Sequence, residues 1–169
     1  EDLGLGGEIQ HGQSVLPKPK AIHDLLKWLS ITTVYENKET GEIMDLIPPV
    51  KVTFAQKICA GIHPLTDEVI DNTKTEWIAN LLEEEPTPSL ILSRFKKPLK
   101  EILEALTKRK IKAKIIDGDV SLPDRELIRA EFQAGKLDAV VAQVDTVARG
   151  LDFSKLDRII YHSNSFSYE

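Results

Sequence analysis

The residues with the most chemical potential lie in one stretch, Gln143-Val144-Asp145-Thr146-Val147-Ala148-Arg149-Gly150-Leu151-Asp152. The stretch follows, and partly overlaps, the apolar run Asp138 to Val144. A run of that length predicts a buried strand. Arg149, Gly150 and Asp152 would then place a guanidinium, a flexible backbone and a carboxylate just past the strand's C-terminal end. Open parallel sheets bind ligands at that end. A second stretch, Asp117-Gly118-Asp119-Val120-Ser121 followed by Arg125, has the same character. Ser121 opens a predicted helix, and free N–H groups at a helix start suit a phosphate. A third, Ser93-Arg94-Phe95-Lys96, ends another short apolar run and supplies two cations. Each feature also has a plain structural use as a turn, a cap or a surface ion pair. The combination in the first stretch, Arg-Gly-x-Asp after a buried strand with Asp145 and Thr146 in front, is more specific than any residue alone.

The elements that must position these residues are legible as a pattern. Ser89 to Ser93 has strand length, and Leu99, Ile102, Leu103 and Leu106 recur at helical spacing within Lys97 to Lys110. Lys112 to Asp117 reads as a strand. A helix should run from Ser121-Leu122-Pro123-Asp124 through Leu127, Ile128 and Phe132 to Gly135. Asp138 to Val144 and Arg158 to His162 are the next strands. Thr73-Lys74-Thr75-Glu76 has a capping-box pattern and should start a helix carrying Trp77, Ile78, Leu81 and Leu82. Strand–helix alternation with short links predicts an α/β fold, a parallel sheet with helices on both faces. Upstream, Ala21 to Ser30 should be a helix and Thr40-Gly41 a turn. Pro48-Pro49 should break the chain, and Val52 to Gly61 should be helical up to His63-Pro64. Residues 1–72 are therefore expected to form a partly helical N-terminal connector or appendage, and residues 73–169 the α/β lobe.

Composition narrows the function classes. With 169 residues, 41% hydrophobic and 29% charged, the chain fits a globular protein. It has no apolar stretch of membrane-span length, so no membrane partner is expected. A single cysteine, Cys59, cannot form an internal disulfide, and an intracellular, cytoplasmic setting is expected. Cys59 and the scattered His11, His23, His63 and His162 form no metal-ligand spacing. A net charge of −5 argues against a polybasic binder of nucleic acid but allows a local basic groove. Cations do cluster, from Arg94 through Lys96, Lys97, Lys100, Lys108, Arg109, Lys110 and Lys112 to Lys114, against Glu101 and Glu104. Such a run is commonly a solvated helix face; here it is also a candidate phosphate-facing edge.

The order of these motifs resembles the C-terminal RecA-like lobe of superfamily-two helicases and translocases. Gly118-Asp119-Val120-Ser121, then Arg125, Phe132 and Gly135, then a strand and Arg149-Gly150-Leu151-Asp152, follows the order of that lobe. Asp145-Thr146-Val147-Ala148-Arg149-Gly150-Leu151-Asp152 is similar to the DEAD-box form of the fifth motif. The segment Ile58-Cys59-Ala60-Gly61-Ile62-His63-Pro64 is similar to a Swi/Snf-type marker, with extra residues before His63. DEAD-box relatives carry a strand-binding Gln where this chain has Leu122, so that contact does not carry over. The resemblance covers roughly Val52 to Glu169; the first fifty residues hold no motif.

The resemblance implies a lobe of an ATP-dependent DNA helicase or translocase, with RNA as the alternative strand. It implies that Arg149, Gly150 and Asp152 couple nucleotide to lobe closure, and that Arg94, Lys96, Gly118, Ser121, Arg125 and Thr146 touch the nucleic acid. ATP and Mg2+ would be held mainly by an N-terminal RecA-like lobe, whose Gly-Lys-Ser/Thr loop and acidic magnesium residues are not in this sequence. A final motif with paired arginines would be expected after Glu169. The chain alone is therefore expected not to hydrolyse ATP. A non-enzymatic α/β binding module on the same framework is the competing expectation.

Overall fold

The computed structural model describes residues 20–37, 39–147 and 153–163. Three apolar clusters organise them. Two lie on opposite faces of one sheet, and the third belongs to the N-terminal segment.

The sheet has four parallel strands: β3 (Ser89–Ser93), β4 (Ala113–Ile116), β5 (Ala139–Gln143) and β6 (Arg158–Tyr161), in the order β4-β5-β3-β6. β3 is buried along its whole length and β5 nearly so, because each is paired on both sides and covered on both faces. That burial explains why their sequences are continuous apolar runs and not alternating ones. Side chains still divide by parity. Ile91, Ala139 and Val141 face the helices α3 (Thr73–Glu84) and α4 (Lys96–Lys108). Leu90, Leu92, Val140 and Ala142 face α5 (Leu122–Gln133), which contributes Ile128 and Phe132. Helices thus cover both faces, as the alternation predicts. Leu99, Ile102 and Leu106 of α4 are fully buried, each worth about 1.5–3 kcal/mol of apolar transfer.

Register decides where the connecting loops emerge. Ser93 aligns with Gln143, Leu92 with Tyr161 and Ile116 with Ala142. The segments leaving β3, β4, β5 and β6 therefore lie along one edge of the sheet.

The N-terminal segment holds α1 (Lys20–Ile31), a hairpin of β1 (Val34–Glu36) and β2 (Ile43–Asp45), and α2 (Pro48–Cys59). Ile22, Leu29, Leu46, Phe54 and Ile58 form its core, with Tyr35 edge-on to Phe54 at 5.2 Å. The expected turn is there, with Gly41 at φ +71°, but the flanking strands were not expected; three residues each is too short for a pattern.

Several boundaries differ from expectation. Pro48-Pro49 starts α2 and does not merely break the chain, since the first helical N–H groups need no partner within the helix. α3 is capped differently: Asn72 is the N-cap, and the Asp71 carboxylate accepts from the Thr73 N–H at 3.2 Å and hydroxyl at 2.8 Å. Val144 leaves the strand and opens a four-residue helix, α6 (Val144–Val147). Among the described residues no helix is long and apolar enough to cross a membrane.

Candidate functional site

The site is built from the loops at the C-terminal edge of the sheet. The first follows β3. Arg94 is held through its main chain: its N–H donates to Ser163 Oγ at 3.0 Å, and its carbonyl accepts from Gln143 Nε2 at 3.3 Å. Ser93 Oγ lies 2.9 Å from Ser163 Oγ. The Arg94 guanidinium donates to Gln56 Oε1 of α2 and lies 5.8 Å from the centre of the Phe95 ring. Two residues on, Lys96 reaches the second loop and pairs with Asp119 at 2.7 Å. The hydrogen bond with Asp119 raises the Lys96 pKa, and the same bond lowers that of Asp119.

The second loop, between β4 and α5, is internally braced. Asp119 N–H donates to Asp117 Oδ1 at 3.0 Å. Arg125 donates from Nε to the Val120 carbonyl at 2.9 Å and from Nη2 to the Asp117 carbonyl at 3.1 Å. The guanidinium therefore holds the loop's shape. Ser121 caps α5: its Oγ accepts from the Asp124 N–H at 3.3 Å and donates to the Asp124 carboxylate at 2.6 Å. Gly118 stands in the open, since among the described residues a Cβ there would meet only Lys96 Nζ, at 4.0 Å. Backbone at this position is approachable from solvent. Leu122, which begins α5, is 74% exposed.

The third loop follows β5. Thr146 turns its hydroxyl inward, to the Gln143 carbonyl at 2.6 Å and the Ile116 carbonyl at 3.2 Å, tying the ends of β5 and β4 together. Arg149, Gly150 and Asp152 lie outside the described residues.

The structure thus brings Arg94, Lys96, Gly118, Ser121, Arg125 and Thr146 to one edge in two roles. Arg94 and Lys96 present charge; Arg125, Ser121 and Thr146 shape the loops. The basic run splits along its length. Lys96, Lys97 and Lys100 line a cleft of about 370 Å³ with Lys57, Asp117 and Asp119. Arg109 turns back to Glu76 at 2.8 Å and Glu83 at 3.4 Å, and Lys114 pairs with Glu131 at 2.6 Å. Sequence reasoning missed Gln56 and Ser163, which no local signal marks, and gave Gln143, the first residue of the opening stretch, no role in holding Arg94. Asp119 had a signal, its place between Gly118 and Ser121.

Behind the edge sits His162, 4% exposed. Its main-chain N–H donates to the Leu92 carbonyl at 2.8 Å, while Nδ1 has no hydrogen-bond partner among the described residues. Burial, with a smaller push from the Lys74 ammonium, lowers its pKa to about 4.

Residues 73–169 match the helicase conserved C-terminal domain family. The chain belongs to that family. It is the C-terminal RecA-like lobe of a superfamily-two helicase. Over 118 residues this helicase lobe is 32% identical to a probable ATP-dependent RNA helicase, ddx41, of Dictyostelium discoideum, covering 68% of this chain and 17% of that protein. Over 154 residues it is 27% identical to the DEAD-box ATP-dependent RNA helicase CshA of Bacillus licheniformis, covering 90% of this chain and 31% of that one. The chain therefore spans less than a third of these curated relatives. Its fold is also that of the Sulfolobus solfataricus SWI2/SNF2 ATPase C-terminal domain, with TM-score 0.55 and 18% identity, covering 66% and 53% of the two chains. The C-terminal part of the Fun30 ATPase domain gives TM-score 0.52 at 21% identity, covering 56% and 32%.

Proposed function

We propose that this lobe is one half of an ATP-driven motor that moves on nucleic acid. One observation carries the proposal: loops from successive parallel strands converge on one edge, with Arg94, Lys96, the open backbone at Gly118 and the N-terminus of α5 side by side. Phosphates suit such a row of cations beside open backbone. Arg149, Gly150 and Asp152 follow the same edge in sequence and would contact ATP or the partner lobe. Closure of an N-terminal lobe over ATP, and its opening after hydrolysis, would step the strand.

Among the described residues no three carboxylate, histidine or cysteine side chains converge, so no residue here is assigned to Mg2+. ATP and the metal would belong chiefly to the N-terminal lobe. Two readings of the strand have support. The sequence relatives named as RNA helicases favour RNA. The Ile58-Cys59 to His63-Pro64 segment, similar to the Swi/Snf-type marker, favours DNA.

ATP turnover of the full-length protein, measured with RNA and with DNA as stimulant, tests the proposal. Stimulation by RNA alone removes the DNA reading, and by DNA alone the RNA reading. Absence of both leaves a binding module. Arg149→Ala should lower stimulated turnover about tenfold, or about 1.4 kcal/mol, with an unchanged melting temperature. Wild-type turnover in that variant would make the turn purely structural.

A further inference from the structure

We infer that Gln56 is a positioning residue for nucleic acid, and that through it the N-terminal segment is a working part of the strand-binding edge. Gln56 lies on α2, outside residues 73–169 that match the helicase domain. It accepts a hydrogen bond from Arg94 Nη1. The backbone on either side of Arg94 is already pinned, by Ser163 and by Gln143. Side-chain torsions are the freedom that remains, and two contacts remove it: the Gln56 carbonyl oxygen and the Phe95 ring.

The chemistry of the acceptor matters. A carboxylate would hold the guanidinium equally well but would cancel its charge. An amide oxygen orients it and leaves the charge whole, and an arginine has five N–H donors in a fixed fork. Gln56 leaves Arg94 able to take a phosphate oxygen of a strand. Ordering the side chain beforehand removes a cost that binding would otherwise meet. The inference rests on the proposal that this edge contacts nucleic acid.

Fluorescence anisotropy of the full-length protein with a labelled single-stranded oligonucleotide, as RNA and as DNA and over a salt series, tests it. Four proteins are compared with the wild type: Arg94→Ala, Gln56→Ala, Gln56→Glu, and Gln56→Glu combined with Arg94→Ala. Arg94→Ala should weaken binding and reduce the slope of log K against log salt by roughly 0.7, one single-strand phosphate contact. Gln56→Ala should weaken binding roughly three- to tenfold with the slope kept, since the charge survives and only its order is lost. Gln56→Glu should reduce the slope as Arg94→Ala does; in the Arg94→Ala background it should leave that slope unchanged, because no phosphate contact at Arg94 remains to lose, and its unpaired carboxylate should only weaken binding further at low salt. Wild-type affinity and slope in Gln56→Glu, beside an impaired Arg94→Ala, would overturn this inference alone. Wild-type behaviour of Arg94→Ala would remove the strand contact at Arg94, and with it the role of Gln56. A lower melting temperature in Gln56→Ala with a wild-type slope in Gln56→Glu would make the residue structural and also overturn it.

Discussion

Replacing Gly61 by alanine should destabilise the protein far more than the same change at Gly135. Both glycines adopt nearly the same left-handed backbone, φ +77° and φ +70°. Alanine in that conformation costs about 1–2 kcal/mol, offset by about 0.4–1 kcal/mol because the unfolded chain becomes stiffer. At Gly135 nothing among the described residues lies within 4 Å of the added Cβ, so a net loss near 1 kcal/mol is expected. At Gly61 the Cβ would fall 2.2 Å from the Asp71 carbonyl oxygen, where ordinary contact begins at 3.4 Å. Backbone must move to relieve that overlap. Asp71 is tied to Gly61 by the bonds that the Ile70 and Asp71 N–H groups donate to the Gly61 carbonyl, at 2.8 and 3.3 Å. Separating the two strands of this loop would lose both, at about 1 kcal/mol each. The Gly61→Ala loss should therefore reach about 3 kcal/mol. Urea unfolding followed by circular dichroism, extrapolated to water, measures both variants. Losses agreeing within about 0.5 kcal/mol, inside ordinary surface-substitution scatter, would refute the steric argument.

Two further outcomes rest on charge. His162 is held neutral by burial, with its pKa lowered to about 4 from 6.5. The unfolded state therefore binds more protons between those values, so stability is full above pH 6.5 and falls as pH drops towards 4. The loss should total about 3 kcal/mol, from 1.4 kcal/mol per unit. His162→Leu should flatten that window relative to wild type in urea midpoints taken at successive pH values, and parallel curves would refute the assignment. Asp119→Asn should free the Lys96 ammonium from its 2.7 Å partner. Nucleic-acid affinity at low salt should then rise about two- to fivefold, the scale of an exposed ion pair, and the gain should vanish near 1 M salt. Equal affinities at low salt would show that Lys96 does not meet the strand.

The strand–helix alternation was written in local pattern, because apolar runs of strand length and leucines at helical spacing are properties of neighbours in sequence. Ser121 could be recognised as a cap for the same reason: its oxygen needs only the N–H three residues on. Gly41 and Gly135 likewise marked turns whose φ is positive. Patterns failed where an element was short, as in the three-residue strands β1 and β2. They failed also where one residue type has two local uses, as with Pro48-Pro49, which stops one segment and starts the next.

For the site, the sequence by itself pointed Arg94, Lys96, Ser121, Arg125 and Thr146 to the C-terminal edge of a parallel sheet, since each follows a strand; Arg149 and Asp152 lie outside the described residues. Tertiary structure alone decided what each does there. Arg125 could not be separated from Arg94 by sequence, yet one braces the carbonyls of its own loop while the other is held out by Gln56. Strand order β4-β5-β3-β6, which sets Gln143 beside Arg94, was equally beyond local pattern. The physical reason is range. Propensity and capping act over a few residues, whereas the partner that claims the Arg94 guanidinium stands 38 positions away, and only packing brings it within hydrogen-bond reach.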